Sequence, residues 1–404
     1  MIRRVLLSCG VAATVVVVAT LPVSSQGPGQ SSVAATAPPL VITAFNGGPA
    51  PANWTSPKTP WGEPDLQGVW SSDDATFGVS RGGGRGGAPA PTGLYLNDEQ
   101  WAARQKQIQQ GITNGENAVG SFRGDFARRA FRQTSYIVDP PDGVQPQPLP
   151  AARARARVGD RGTFGDGPFQ TFDDFTNYDR CITRGIWGSV VRVIYGNGNR
   201  IVQAPGMVAI SYEMIHDTRV IYTDGRPHIS TGIRQYLGDS RGRWEGDTLV
   251  VETTNLTDQT SIGANGNGLR HSDAMTMVER FRRVADDIVQ YQLTVIDPET
   301  YPRAFTISIP LTPLDGGGLL PYECHEGNGA VRNALAGERA EERALAADLD
   351  RGVIRPRRGP QDDGLGAGAF GGQSRPRRGS PQAARGGGPG GGRGGAPVGG
   401  DQER

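Results

Sequence analysis

From about Tyr178 to Cys324 the chain is a succession of short β-prone runs, each cut off by a turn signal. RIVQAPGMVAISYEMIHDTRVIYTDGRPH holds three runs punctuated by APG and TDGRP. GRWEGDTLVVETTNL reads as a hairpin whose turn is Glu245-Gly246-Asp247, with Gly246 free to take a positive φ. AMTMVERFRRVADDIVQYQLTVIDP reads as a second hairpin, turning at Asp286-Asp287. RAFTISIPLT and GLLPYECHE supply two further strands. Runs spaced at about 8–12 residues indicate a meandering antiparallel sheet, and a sheet this long curls and closes. The predicted fold is therefore mainly β, an antiparallel meander closing into a barrel, with flanking helices and disordered tails.

The flanks are of a different composition. Gly 60 and Pro 30 in 404 residues leave much of the length outside any packed core, which fits one domain with long irregular ends. Residues 1–25 read as a signal peptide. Arg3 and Arg4 precede an apolar stretch from Val11 to Leu21, and VSS offers a cleavage site. The stretch is too short to span a membrane comfortably, so a periplasmic or secreted protein is expected. Residues 26–56, rich in Ser, Ala, Pro and Gly, read as a disordered arm. Residues 57–168 read as an irregular region, with Trp61, Leu66, Val69 and Trp70 anchoring a first strand. Its one helix, about 97–110, is capped by Asn97 or Asp98 and stopped by Gly111. The barrel core covers 169–350 and ends in an amphipathic helix, NALAGERAEERALAADLDRG. The Gly/Arg-rich tail, 351–404, is disordered by composition.

A formal charge of +1 excludes capture of nucleic acid by the whole molecule. Cleavage of the signal leaves Cys181 and Cys324, and an even count in an exported protein favours a disulfide.

The words TPWGEPDLQGVW, YDRCITRG, VIYTDGRPH, GRWEGDTLVVETTN, HSDAMTMVERF and YECHEGN together resemble an uncharacterised family of secreted proteins from soil bacteria, over most of residues 57–345. That resemblance implies export and no particular reaction. The W-x-G-D-T-L-V-V hairpin resembles those of lipocalin-like (calycin) barrels, and implies that the meander closes as they do.

All four histidines, His216, His228, His271 and His325, fall in the strand-rich region. None has H-x-H or H-E-x-x-H spacing, and no metal ligand set is assigned. In YTDGRPH, Gly225 allows a tight turn and Pro227 fixes its exit, so Asp224, Arg226 and His228 can be held rigidly at a barrel mouth. An Asp orienting a His beside an Arg suits acid–base chemistry with an anion anchor. His271 in RHSDA is placed on the same rim. Arg234, Asp239 and Arg241 are read in the connection between hairpins, where sheet alternation does not constrain them.

Two functions remain open on these residues. One is binding of a small organic ligand, with Arg226, Arg234, Asp239 and Arg241 as contacts. The other is a hydrolase or lyase, metal-dependent or not, with His228, His271 and Asp224 as its catalytic groups. Neither the cofactor nor the oligomeric state is written in the sequence.

Overall fold

The computed structural model describes residues 37–48, 51, 53–74, 79–81, 93–113, 131–156, 160, 168–193, 196–314 and 318–354. In chain order the elements are β1 (Gly68–Ser71), α1 (Asp98–Thr113), β2 (Ile137–Asp139), α2 (Pro150–Ala154) and α3 (Gly185–Val190). There follow β3 (Gly198–Ala204), β4 (Met207–Tyr212), β5 (Thr218–Tyr222), β6 (Asp239–Glu245), β7 (Thr248–Thr254), β8 (Thr276–Ala285), β9 (Ile288–Ile296), β10 (Phe305–Pro313) and α4 (Ala330–Asp350).

Nine strands form a closed barrel in the order β1-β3-β4-β5-β6-β7-β8-β9-β10. Trp70 opposite Pro313 and Ser71 opposite Thr312 join the first strand to the last. β2 pairs with the other end of β10, at Ile307 opposite Ile137. The mainly β, closed architecture is the one expected, and the turns fall where the sequence places them. Gly246, at φ +59, carries the β6–β7 turn.

Alternation decides what fills the barrel. Leu249 and Val251 of β7, Met277 and Phe281 of β8, Tyr291 and Leu293 of β9, and Ile307 and Ile309 of β10 all belong to one buried cluster. Trp70, Ile201, Ile210 and Ile221 complete the lining from the other strands. At the end marked by Phe305 the cluster continues into α3, whose six residues are all buried, and Trp187 packs edge-on against Phe305 at 5.8 Å.

The structure corrects the sequence reading at five points. The meander is not wholly antiparallel: β5 and β6 run parallel, Ile221 opposite Ser240 and Tyr222 opposite Arg241. Parallel neighbours cannot be joined by a tight turn, so residues 223–238 form a crossover. Second, residues 37–48 of the expected disordered arm lie along the outer wall of β8–β10. Ala37 packs on Val250 and Val278, and Ala44 on Val284 and Ile288. The polar outward positions of β9 need a cover that compositional reading does not supply. Third, α1 runs through Gly111 to Thr113, its start held by Asn97 and Gln100 accepting reciprocally from each other's backbone N–H. One glycine costs a helix only about 1 kcal/mol. Fourth, α4 has no buried residue, so it follows the core instead of completing it. Last, YECHE forms a turn over 324–327, not a strand. The reading of residues 1–25 as a signal peptide lies outside the described residues, as does the tail beyond Ile354.

Candidate functional site

The crossover explains where His228 sits. Ser240 points inward, reaching Arg219 at 3.3 Å and Thr253 at 2.9 Å, so its neighbours Asp239 and Arg241 point outward. Thr254 and Glu252 are their cross-strand partners on the same outer face. Asp239 and Arg241 are thus residues of β6, not of a free connection, and sheet alternation does constrain them. The crossover folds back over this face and lays His228 on it. The expected barrel-mouth position is therefore replaced by one on the outer wall.

Asp239 is the hub of the cluster. Its Oδ2 accepts from His228 Nδ1 at 2.7 Å and from the Ile229 backbone N–H at 3.1 Å. Its Oδ1 pairs with Arg241 Nη1 at 2.7 Å. A carboxylate only accepts, so Nδ1 of His228 carries a proton and Nε2 is the ring's other working nitrogen. Nε2 faces Glu252 Oε1 at 3.9 Å, and the Thr254 hydroxyl lies 3.2 Å from Nδ1. The His228 side chain is 12 % exposed. Arg241 also donates from Nε to Pro227 O at 2.9 Å, fixing the crossover to the strand.

Asp224 stands apart from this hub. It makes a bidentate, exposed pair with Arg226, from Nε at 2.9 Å and Nη2 at 2.6 Å, and those hydrogen bonds hold its carboxyl below the usual range. The Asp that orients His228 is therefore Asp239, and Arg226 already has a resident anion. The Arg226 guanidinium stacks on Tyr222 at 3.8 Å, and that of Arg241 lies 5.4 Å from the same ring. Tyr222 thereby ties the two arginines together.

His271 is 2 % exposed and fully engaged: Nδ1 donates to Ser272 O at 2.9 Å, and Nε2 meets the Thr260 hydroxyl at 2.5 Å. Burial pushes its pKa below the ordinary histidine value. Its hydrogen bonds are those of a neutral imidazole holding a loop. Ser272 beside it gives both its N–H and its hydroxyl to buried Asp297, at 2.8 and 2.6 Å. His271 also lines a small cavity of about 130 Å³ with Arg155, Asp258, Arg270, Asp273 and Glu299. Arg234 is linked to this second place, donating to Asp273 O and pairing with Asp273 Oδ2 at 3.4 Å. The expected set thus divides between a His228–Asp239–Arg241 cluster, with Arg226 joined to it through Tyr222, and an Arg234–Asp273–His271 region.

Cys181 and Cys324 are bonded, as expected. Among the described residues no group of three or more His, Cys, Asp or Glu side chains is arranged to hold a metal, and no helix is long and apolar enough to cross a membrane.

Sequence reading missed Tyr222, Glu252 and Thr254, and a whole charged cluster inside the barrel. Arg219 and Glu279, both buried, form two hydrogen bonds of 2.6 Å, and Tyr291 donates its hydroxyl to Glu279 at 2.9 Å. Outward parity in ETT was the available signal for Glu252 and Thr254. Nothing local marks Arg219, which occupies an inward position where an apolar residue is the rule.

No family model matches the chain, and neither does any curated protein or solved structure.

Proposed function

We propose that the protein is an exported β-barrel that binds a small organic molecule on its outer wall, against His228. The carrying observation is the 2.7 Å contact that holds His228 Nδ1 on Asp239. It fixes the ring with Nε2 as the working edge, facing Glu252 at 3.9 Å. The filled interior supports an outer position for the ligand, since a lipocalin-like internal cavity would compete with the side chains packed there. The Cys181–Cys324 bond supports export, because such bridges persist in oxidising compartments.

A second reading, a hydrolase or lyase with His228 as general base, is favoured by the same His–Asp pair. Positioned acid–base groups of this kind contribute about 10²–10⁴-fold to rate. Thermal-shift screening of small organic acids, esters and amides against the protein and its His228→Ala variant tests both. A ligand that raises the midpoint of the parent, but not of an equally stable variant, supports binding. Conversion of that ligand supports the enzyme. Equal responses from the two proteins reject the site.

A further inference from the structure

At the barrel end where β7 and β9 finish, their outgoing connections shape the cavity of about 130 Å³ beside His271. Its lining comes from three separate stretches of chain: Arg155 at the C-terminus of α2, Asp258 and residues 269–273 between β7 and β8, and Glu299 between β9 and β10. His271 and Ser272 are buried and tied down by hydrogen bonds, so they form a fixed floor. Arg155, Asp258, Asp273 and Glu299 are exposed and form a charged rim.

The charges around this cavity do not all cancel within the protein. Arg270 donates from Nε to buried Asp160 at 2.8 Å, and Asp273 pairs with Arg234 at 3.4 Å. Those two are answered. Among the described residues, the carboxylates of Asp258 and Glu299 have neither an ion-pair nor a hydrogen-bond partner. Arg155 gives its Nη2 to Glu299 O at 3.4 Å and to Thr300 Oγ1 at 3.3 Å, a carbonyl and a hydroxyl, so its charge has no counterion either. The Asp258 charge reaches the His271 ring at the floor and favours its protonated form. Two carboxylates and one guanidinium thus line one small space without partners.

Size and charge together select an occupant. A water takes up about 30 Å³ of liquid, so the cavity holds about four waters, or a molecule of about six heavy atoms. The acidic groups are not arranged as metal ligands among the described residues, and Arg155 and Arg270 repel a bare cation. A simple anion meets two carboxylates, and a simple amine leaves Arg155 unanswered. A small molecule carrying an ammonium and a carboxylate answers all three groups, since guanidinium–carboxylate pairs are strong and directional. Leu269 is the one apolar lining residue and suits a methyl-sized side chain.

From this lining we infer that the cavity binds a small zwitterion of the α-amino-acid type, its ammonium group against Asp258 and Glu299 and its carboxylate on Arg155. The site is separate from His228 and does not rest on the reading of that residue.

Equilibrium dialysis of the full chain with radiolabelled alanine tests this. Ethylamine and propionate, which each carry half of the charge pair, should compete at least tenfold more weakly than unlabelled alanine. Phenylalanine, too large for the cavity, should not compete. Asp258→Asn with Glu299→Gln, and separately Arg155→Gln, should each weaken alanine at least tenfold with unchanged circular dichroism, because all three side chains are exposed. His228→Ala should bind alanine as the parent does. Saturable uptake absent below about 10 mM overturns the proposal. So does competition by ethylamine or phenylalanine equal to that of alanine, or affinity unchanged in the charge variants. If those variants fail to fold, the parent still decides: its His271 ring resonances should shift on saturation with alanine, and still resonances overturn the assignment.

Discussion

Arg219 on β5 and Glu279 on β8 meet inside the barrel across the two strands between them, through a pair of 2.6 Å hydrogen bonds. Opposite charge and fork geometry make the pair self-sufficient, and Tyr291 satisfies a further lone pair of Glu279. Removing one partner strands the other charge in the core. Glu279→Gln is expected to lose about 3–5 kcal/mol of stability, while Arg219→Met combined with Glu279→Leu recovers most of it. Urea unfolding of the three proteins checks this. A single variant within about 1 kcal/mol of the parent contradicts it.

At the outer wall, Asp239→Ala removes the acceptor of His228 Nδ1 and of Ile229 N together. Hydrogen bonds to a charged group are worth about 1.5–3 kcal/mol, so ligand affinity at His228 should fall roughly tenfold to hundredfold. Long-range nitrogen–proton spectra should show His228 leaving its Nδ1–H form. An unchanged tautomer in the variant excludes Asp239 as the orienting group.

Gly238 leads into that aspartate with φ +65, and a Cβ there would fall 2.4 Å from Thr254 O. Gly238→Ala is expected to cost about 1–3 kcal/mol and to displace His228 as well. Calorimetry with the His228 ring resonances separates this outcome from a neutral substitution, in which neither moves.

The strand pattern was legible because turns and alternation are local. The hairpins at Gly246 and at Asp286-Asp287 follow from a few neighbouring residues, and closure follows from the length of the meander. The site was legible only in part. His228, Arg226, Arg241 and Asp239 were singled out, yet the pairing of His228 with Asp239 depends on β5 and β6 running parallel, and no turn signal encodes strand direction. Gln290 and Gln292 alternate as solvent-facing residues do, and their burial depends on a segment some 250 residues earlier in the chain. His271 looked like a catalytic histidine because a histidine–serine–aspartate triplet has the same letters whether it faces solvent or a core.

His271 supplies a pH test. Burial holds its folded pKa below the ordinary value of 6.5, so the unfolded chain takes up a proton first as pH falls. Stability contributed by neutral His271 is complete above about pH 7 and declines through pH 6 and below, by at most about 1.4 kcal/mol per pH unit. His271→Gln should flatten this decline relative to the parent. Raised acids such as Asp73 and Asp217, whose burial works in the opposite direction, remain common to both proteins and cancel. Parallel curves for the two would contradict the assignment.

Cys181 and Cys324 are 143 residues apart, and closing a loop of that length restricts the unfolded chain by about 5 kcal/mol in the chain-entropy model. Cys181→Ser with Cys324→Ser should lower the urea midpoint accordingly, with the strand content by circular dichroism kept. A loss below about 1 kcal/mol would mean that the bridge only tethers the turn before α4.

The pairing of Trp70 with Pro313 also sets an order of events during synthesis. The ring cannot shut until its final strand exists, so a nascent chain that ends after β9 presents β1 and β9 as open edges. Contacts so distant along the chain fold slowly, and exposed strand edges aggregate. Such a protein gains from having its whole chain synthesised before the barrel begins to close.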